Sequence, residues 1–315
     1  MYNYYSGFAE DIKKMMEWRE VLGYKKDCYA SYLKTFDTFC KKQFPNSQVV
    51  TWEIALSFFN SFRRGRDFRV YVVAVRNLAK YQIMTGKQAC VFPKNYFRYK
   101  SRPLPYIMSD TECLNFFSAT DRYPHDSHNP LLPYTVPVIF RLQYATGMRP
   151  KEVRELLRTD FDFKHDTIYI ADSKRHKDRK IAVEHSVMVM CKNYDKIARD
   201  IYPHTDVFFP NRLRREHSQA SLRLLFHKCW NMSGNPQNIG YCSPYILRHN
   251  FATQTLMRWI EEGKDINHYI PYLSAYMGHE TFRDTYYYIH LLPDRLSKMT
   301  YMDISDIISE VYDER

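Results

Sequence analysis

The residues best placed to do chemistry lie between Ser243 and His290. One piece reads SPYILRHNFATQTL and a second, after a spacer, reads YMGHETFRDTYYYIH. Tyr245 and Arg248 stand three apart, so on a helix they share a face. His279 follows Gly278, and a run of tyrosines ends at Tyr288. A guanidinium stays charged and grips phosphate oxygens with a fixed fork. A phenol oxygen held beside it can attack phosphorus. Phosphoryl transfer asks above all for positioned positive charge, so other parts of the chain must supply the rest. Ser243 and Pro244 suit the start of a helix: serine caps free amides, and proline at the first helical position loses nothing by lacking an N–H. His249 reads as a structural residue that faces elsewhere on that helix.

Further cations occur in three places. Arg149 stands in ATGMRPKEVREL, three residues before Glu152. The segments Thr167–Ala171 and Lys180–Val183 read as strands joined by the turn DSKRHKDR, whose tip carries Lys174, Arg175 and Lys177. A hairpin with so basic a tip can lay lysines over a phosphate or into a groove. Arg63, Arg64, Arg66 and Arg69 crowd a junction between two helices, an arrangement suited to phosphate contacts.

The elements that position these groups follow from apolar spacing. Ala9–Val21 reads as a helix, with Ile12, Met15, Met16 and Trp18 at helical spacing. Tyr24–Phe44 repeats the pattern with Cys28, Tyr32, Phe36, Phe39 and Cys40. Thr51 caps a third helix, with Trp52, Leu56, Phe59 and Phe62 inward. Asp67–Thr85 makes a fourth, rich in Val70, Val73, Leu78 and Tyr81 and closed by Gly86. Lys87–Pro105, with three prolines, reads as an extended linker. Ser109 to Glu112 forms a capping box that opens a second domain. Helices are expected over 134–145, from Lys151, over 187–201, over 219–232 and up to Pro293, and a tail helix over 303–311 shows Ile304, Ile307, Ile308 and Val311 on one side. No internal repeat or low-complexity segment is visible.

The 315 residues suit two domains, and a hydrophobic content of 45% suffices for substantial cores. No apolar run is long enough to span a bilayer, and the N-terminus lacks a signal peptide's apolar centre, so a cytoplasmic protein without membrane contact is expected. The seven cysteines are scattered without a CxxC pair, which argues against a zinc site or a disulfide framework and for reduced thiols. A net charge of +11 points to a polyanionic partner.

The order Arg149, Lys174, Arg248, His279, Tyr288 closely resembles the tyrosine recombinase (phage integrase) family over roughly residues 106 to 290. The signal is specific because five dispersed elements must agree. The resemblance implies a mainly α fold: an N-terminal four-helix core-binding bundle that clamps DNA over 1–104, linker included, and a mostly helical catalytic domain with a small antiparallel sheet over 105–290, the fold of the DNA breaking-rejoining enzymes. The tail, 291–315, is expected to dock on a neighbouring protomer. Arg149 and Arg248 match the pair that clamps the scissile phosphate. Lys174 matches the hairpin lysine that protonates the departing 5′ oxygen, with Lys177 the competing choice. His279 matches the histidine that hydrogen-bonds the phosphate, and Glu152 an acidic position that orients an arginine or the lysine. Tyr288, nine residues after His279 and two before His290, matches the nucleophile in preference to Tyr286 and Tyr287.

The implied reaction is cutting and rejoining of DNA strands through a 3′-phosphotyrosine, with no metal or nucleotide cofactor. The implied partners are double-stranded DNA with inverted-repeat sites and further copies of the chain, as a tetramer on DNA. One position departs from the family: Tyr245 stands where a histidine is usual. A phenol with a pKa near ~10 donates a hydrogen bond well but accepts a proton poorly at neutral pH. Tyr245 is therefore read as a phosphate support, and the group that deprotonates Tyr288 stays open. Two other readings compete. A type IB topoisomerase shares the chemistry, and a DNA-binding regulator on the same fold would bind without cleaving.

Overall fold

In the computed structural model, the chain divides into two compact units, Met1–Arg102 and Pro103–Arg315. The structure describes residues 2–24, 27–62, 69–93, 105–171, 178–237, 242–279 and 282–289. The expected hairpin tip with Lys174, Arg175 and Lys177, the junction residues Arg63, Arg64 and Arg66, and the expected tail helix lie outside them. Within the described residues no helix is long and apolar enough to cross a membrane.

The first unit contains α1 (Ala9–Val21), α2 (Asp27–Gln43), α3 (Trp52–Asn60) and α4 (Arg69–Met84). Their apolar faces close one core around Phe8, Phe36 and Phe58, whose rings meet edge to face at 5.3 and 5.1 Å. Each such ring, fully buried, contributes roughly 1.5–3 kcal/mol. Thr51 caps α3, its side chain accepting from the Ile54 amide at 3.3 Å. The inward face of α3 differs in part from the sequence reading. Phe59 is buried as expected and Leu56 and Phe62 are half-buried, but Trp52 is exposed. Ile54, Ala55 and Phe58 complete the buried face of α3, and α4 buries Tyr71, Val72, Ala74, Val75, Leu78 and Tyr81. Most of α3 is apolar, so periodicity alone could not fix which stripe faces inward. Arg69 opens α4 and is half-buried.

The second unit begins with α5 (Asp110–Asp121), whose capping box is formed as expected: the Ser109 amide donates to Glu112 at 2.7 Å and the Glu112 amide to the Ser109 hydroxyl at 3.3 Å. Helix α6 (Leu132–Thr146) follows, then the short α7 (Pro150–Arg154), a 3-10 turn at 158–160, and strands β1 (Phe161–Asp162), β2 (Thr167–Ile170) and β3 (Arg179–Ala182). The sheet is antiparallel in the order β1-β2-β3, with Phe161 opposite Ile168, Ile168 opposite Ile181, and Ile170 opposite Arg179. Strand β1 was not foreseen from the sequence.

Helices α8 (His185–Ile201) and α9 (Gln219–Met232) pack on α6 and α5 over a core that includes Phe116, Phe140, Phe226 and Trp230. The chain ends its described part with α10 (Tyr245–Glu261), α11 (Ile266–Met277) and α12 (Phe282–Ile289). These three share a smaller core of Ala252, Leu256, Met257, Ile270, Leu273, Met277 and Tyr288. Ser243 does not cap α10: Pro244 takes that place in helical conformation, and the Ser243 hydroxyl is buried without a hydrogen-bond partner among the described residues.

Candidate active site

Helix α10 brings three of the singled-out groups to one place. Arg248 is 3% exposed. Its two terminal nitrogens donate to the Gly147 carbonyl at 2.6 Å and the Met277 carbonyl at 2.9 Å. Tyr245, one turn earlier, is exposed at the helix start. His249 does not face away, as the sequence reading had it. It stands one turn beyond Tyr245, their rings 6.3 Å apart, and its Nδ1 is 3.2 Å from the Tyr288 hydroxyl. Spacing of four along a helix is as good a neighbour relation as spacing of three, so this placement was readable.

The end of α11 holds the site together. Its last turn offers three successive free carbonyls, the negative end of the helix. Tyr276 O accepts from Arg179 Nε at 2.8 Å, Met277 O from Arg248, and Gly278 O from Arg149. Three guanidiniums from three distant parts of the chain thus meet on one helix terminus. Gly278 makes this possible. It closes α11 in the left-handed conformation with φ of 65°, and a Cβ there would stand 2.7 Å from Arg179 Nη1. Gly147 closes α6 in the same way with φ of 61°, which turns its carbonyl to Arg248.

Glu152 balances this charge. Proline at the start of α7 keeps Arg149 extended, and the Glu152 carboxylate accepts from the Arg149 amide at 2.8 Å and from its guanidinium at 2.7 Å. The same carboxylate is gripped by both ends of the Arg179 fork at 3.0 and 2.9 Å. Burial opposes ionisation of Glu152, but hydrogen bonds and charge from Arg179, then Arg149, outweigh it and hold its pKa down at about 2. Arg179 was overlooked in the sequence. The signal was there: alternation along β3 puts it on the same face as the buried Ile181, and a charge on the inward face of a strand asks for a partner.

Tyr288 is buried on α12, in the field of the Arg248 guanidinium. Burial raises its pKa, against the charge of Arg248. His279, just past Gly278, lies parallel to the Tyr288 ring at 6.0 Å, and its Nδ1 is 2.7 Å from the hydroxyl of the fully buried Thr285. Burial, then the nearby Arg248, Arg149 and Arg179, pulls the His279 pKa down to about 3, so the ring is neutral at physiological pH. Burial pulls the Arg248 guanidinium down to about 10, which leaves it charged. Tyr286 and Tyr287 are exposed on the same helix. The structure therefore assembles Arg149, Glu152, Arg248, His279 and Tyr288, adds Arg179, His249 and Thr285, and sets Tyr245 at the rim.

Residues 111–295 match the phage integrase family. The chain belongs to that family. As a tyrosine recombinase it is an enzyme that cleaves and rejoins DNA. This family member is 24% identical over 302 residues, 93% of its own length and 96% of the relative's, to a putative integrase/recombinase, y4rB, of Sinorhizobium fredii. It is 27% identical over 163 residues, about half of each chain, to the tyrosine recombinase XerC of Lactobacillus leichmannii. Among solved structures, the XerH site-specific recombinase in a post-cleavage complex with palindromic difH substrate superposes with a TM-score of 0.66, at 18% identity over 92% of this chain and 80% of that one. The Tn1549 transposon integrase in complex with transposon right end DNA gives 0.63 at 13% identity, covering 91% and 99%. A lambda integrase tetramer bound to a Holliday junction gives 0.60 at 14% identity, covering 86% and 74%. At such identities the likeness shows the shared, mainly α fold.

Proposed function

We propose that this chain is a site-specific recombinase that works through a 3′-phosphotyrosine. The observation that carries the reading is the meeting of Arg149, Arg248 and the Tyr288 hydroxyl at the end of α11. The Tyr288 oxygen attacks the scissile phosphorus; an O–P bond forms and the P–O5′ bond breaks. Arg149 and Arg248 bind the non-bridging oxygens and stabilise the charge that grows on them. Glu152 and Arg179 keep Arg149 in place. His279 supports a phosphate oxygen through Nε2–H, which requires Nδ1 to accept from Thr285, and Tyr245 adds a hydroxyl from the rim. Lys174 protonates the leaving 5′ oxygen. The released 5′ hydroxyl, or one from another duplex, then attacks the phosphotyrosine and restores a phosphodiester.

Each step exchanges one phosphate ester for another, so the bond energy is retained and no nucleotide is consumed. The protein residues alone supply the proposed proton transfers and charge stabilisation. The DNA is expected to carry inverted repeats, with one protomer per half-site and four at a synapse. The tetrameric likeness of lambda integrase supports that arrangement.

The test is direct. The full chain is incubated with sheared genomic DNA of its source in EDTA without nucleotide, denatured in detergent, and the DNA that stays attached is sequenced. Attachment to a defined repeat through a 3′ end is expected, and Tyr288→Phe abolishes it. An undiminished adduct in that variant, or one that appears only when a divalent ion is added, overturns the reading.

A further inference from the structure

Proton bookkeeping around Tyr288 assigns a role to His249. A guanidinium has N–H donors and no acceptor. The Arg248 cation that acts on Tyr288 therefore cannot take the phenol's proton, which must go to another atom. His249 Nδ1 stands 3.2 Å from that oxygen, within reach of proton transfer. Arg248 and His249 are adjacent positions of α10, so one helix fixes the cation and the proton acceptor together. The position where the family usually carries a histidine holds Tyr245, which accepts protons poorly.

We propose that His249 is the base that takes the Tyr288 proton in strand cleavage and returns it in rejoining. The inference rests on Tyr288 being the nucleophile. In cleavage the Tyr288 O–H bond breaks and an Nδ1–H bond forms on His249. The oxygen's electron pair makes the O–P bond, and the leaving 5′ oxygen takes a proton from the Lys174 ammonium. In rejoining the 5′ hydroxyl gives its proton to the Lys174 amine, the O–P bond to Tyr288 breaks, and the phenolate recovers the proton from Nδ1. No proton is gained or lost over the cycle.

The surroundings fit a base. The titratable and charged groups about the His249 ring, among the described residues, are Tyr245 and Arg248 on its own helix and Tyr288 on α12. Burial, then the charge of Arg248, holds the His249 pKa at about 4, so the ring meets the substrate unprotonated. A bound phosphodiester offsets the charge of Arg248 and thereby strengthens the base when it is needed.

Single-turnover adduct formation on a nicked duplex bearing the captured site decides the matter. His249→Phe keeps an aromatic ring and removes the acceptor; His249→Asn keeps an acceptor near the Nδ1 position that cannot hold a proton. Both variants are expected to bind the duplex as the parent does and to cleave roughly 10²–10⁴-fold more slowly at neutral pH. Their rates should rise about tenfold per pH unit, as hydroxide replaces the base, while the parent profile stays flat. If His249→Asn, which tolerates the polar surroundings best, cleaves at the parent rate with the parent profile, the proposal is overturned. Tyr288→Phe run alongside separates the two readings: an adduct there removes the nucleophile assignment itself, whereas its loss together with normal cleavage by the His249 variants removes this inference alone.

Discussion

Glu152 shows how much of the site depends on a single carboxylate. Removing its charge leaves Arg149 and Arg179 facing each other without an anion, and losing one member of a buried pair costs more than losing both. Glu152→Gln should slow adduct formation at least tenfold, because Arg149 loses its guide. Its effect on stability should depend on pH. The folded pKa of about 2 lies below the ordinary 4.5, so the carboxylate stabilises the protein fully above about pH 4.5, by about 3 kcal/mol, and that share vanishes as pH falls toward 2. Urea midpoints of the two proteins should therefore stay apart from pH 7 to 5 and converge below 4.5; a gap that is constant down to pH 3 refutes this account. The sequence revealed Arg149, Glu152, Arg248, His279 and Tyr288 because each sits in a short recognisable string. Arg179, His249 and Thr285 belong to the same cluster, yet their partners lie 27, 39 and 6 positions away. Only the fold makes those partners neighbours, although alternation on β3 and the four-residue step from Tyr245 hinted at two of them.

At the scale of elements, the helix ends matter more than the helix bodies. Gly278→Ala adds a Cβ that presses on Arg179, in addition to the strain of a left-handed alanine, about 1 kcal/mol. Gly263, with φ of 68°, has nothing within 4 Å of the same position, so Gly263→Ala suffers the strain alone. Both variants should melt slightly earlier, while only Gly278→Ala should lose most of its cleavage rate; equal activities in melting-matched samples would show that the Arg179 contact is unimportant. Helix boundaries with clear caps, such as Ser109 before α5, were legible. Most of helix α11 lies in the spacer between the two strings that carry the candidate residues. Asp265 caps it, and Ile270, Leu273, Ser274 and Met277 form its buried stripe, but Pro271 and the polar turn around His268 masked the period. In α3 the opposite difficulty arose: too little polar contrast left the inward stripe undetermined.

For the whole molecule, the excess of 46 basic over 35 acidic side chains is the dominant long-range feature. Binding of the captured duplex by the full chain should fall about 10³–10⁵-fold between roughly 50 and 200 mM salt if six to ten phosphates are contacted, as anisotropy titrations would show. A shallow dependence would mean that few of these cations reach DNA. Native mass measurements on a duplex with two half-sites should find two protomers. The mainly helical character was visible early, since amphipathic segments with helical spacing follow one another along most of the chain.

The terminus of α11 has one more effect. Three like charges a few ångströms apart would spread away from one another in a chain without DNA. Main-chain oxygens restrain them, so the receptor for the phosphate is already shaped when the duplex arrives. The ordering cost falls on folding, once, instead of on every catalytic encounter.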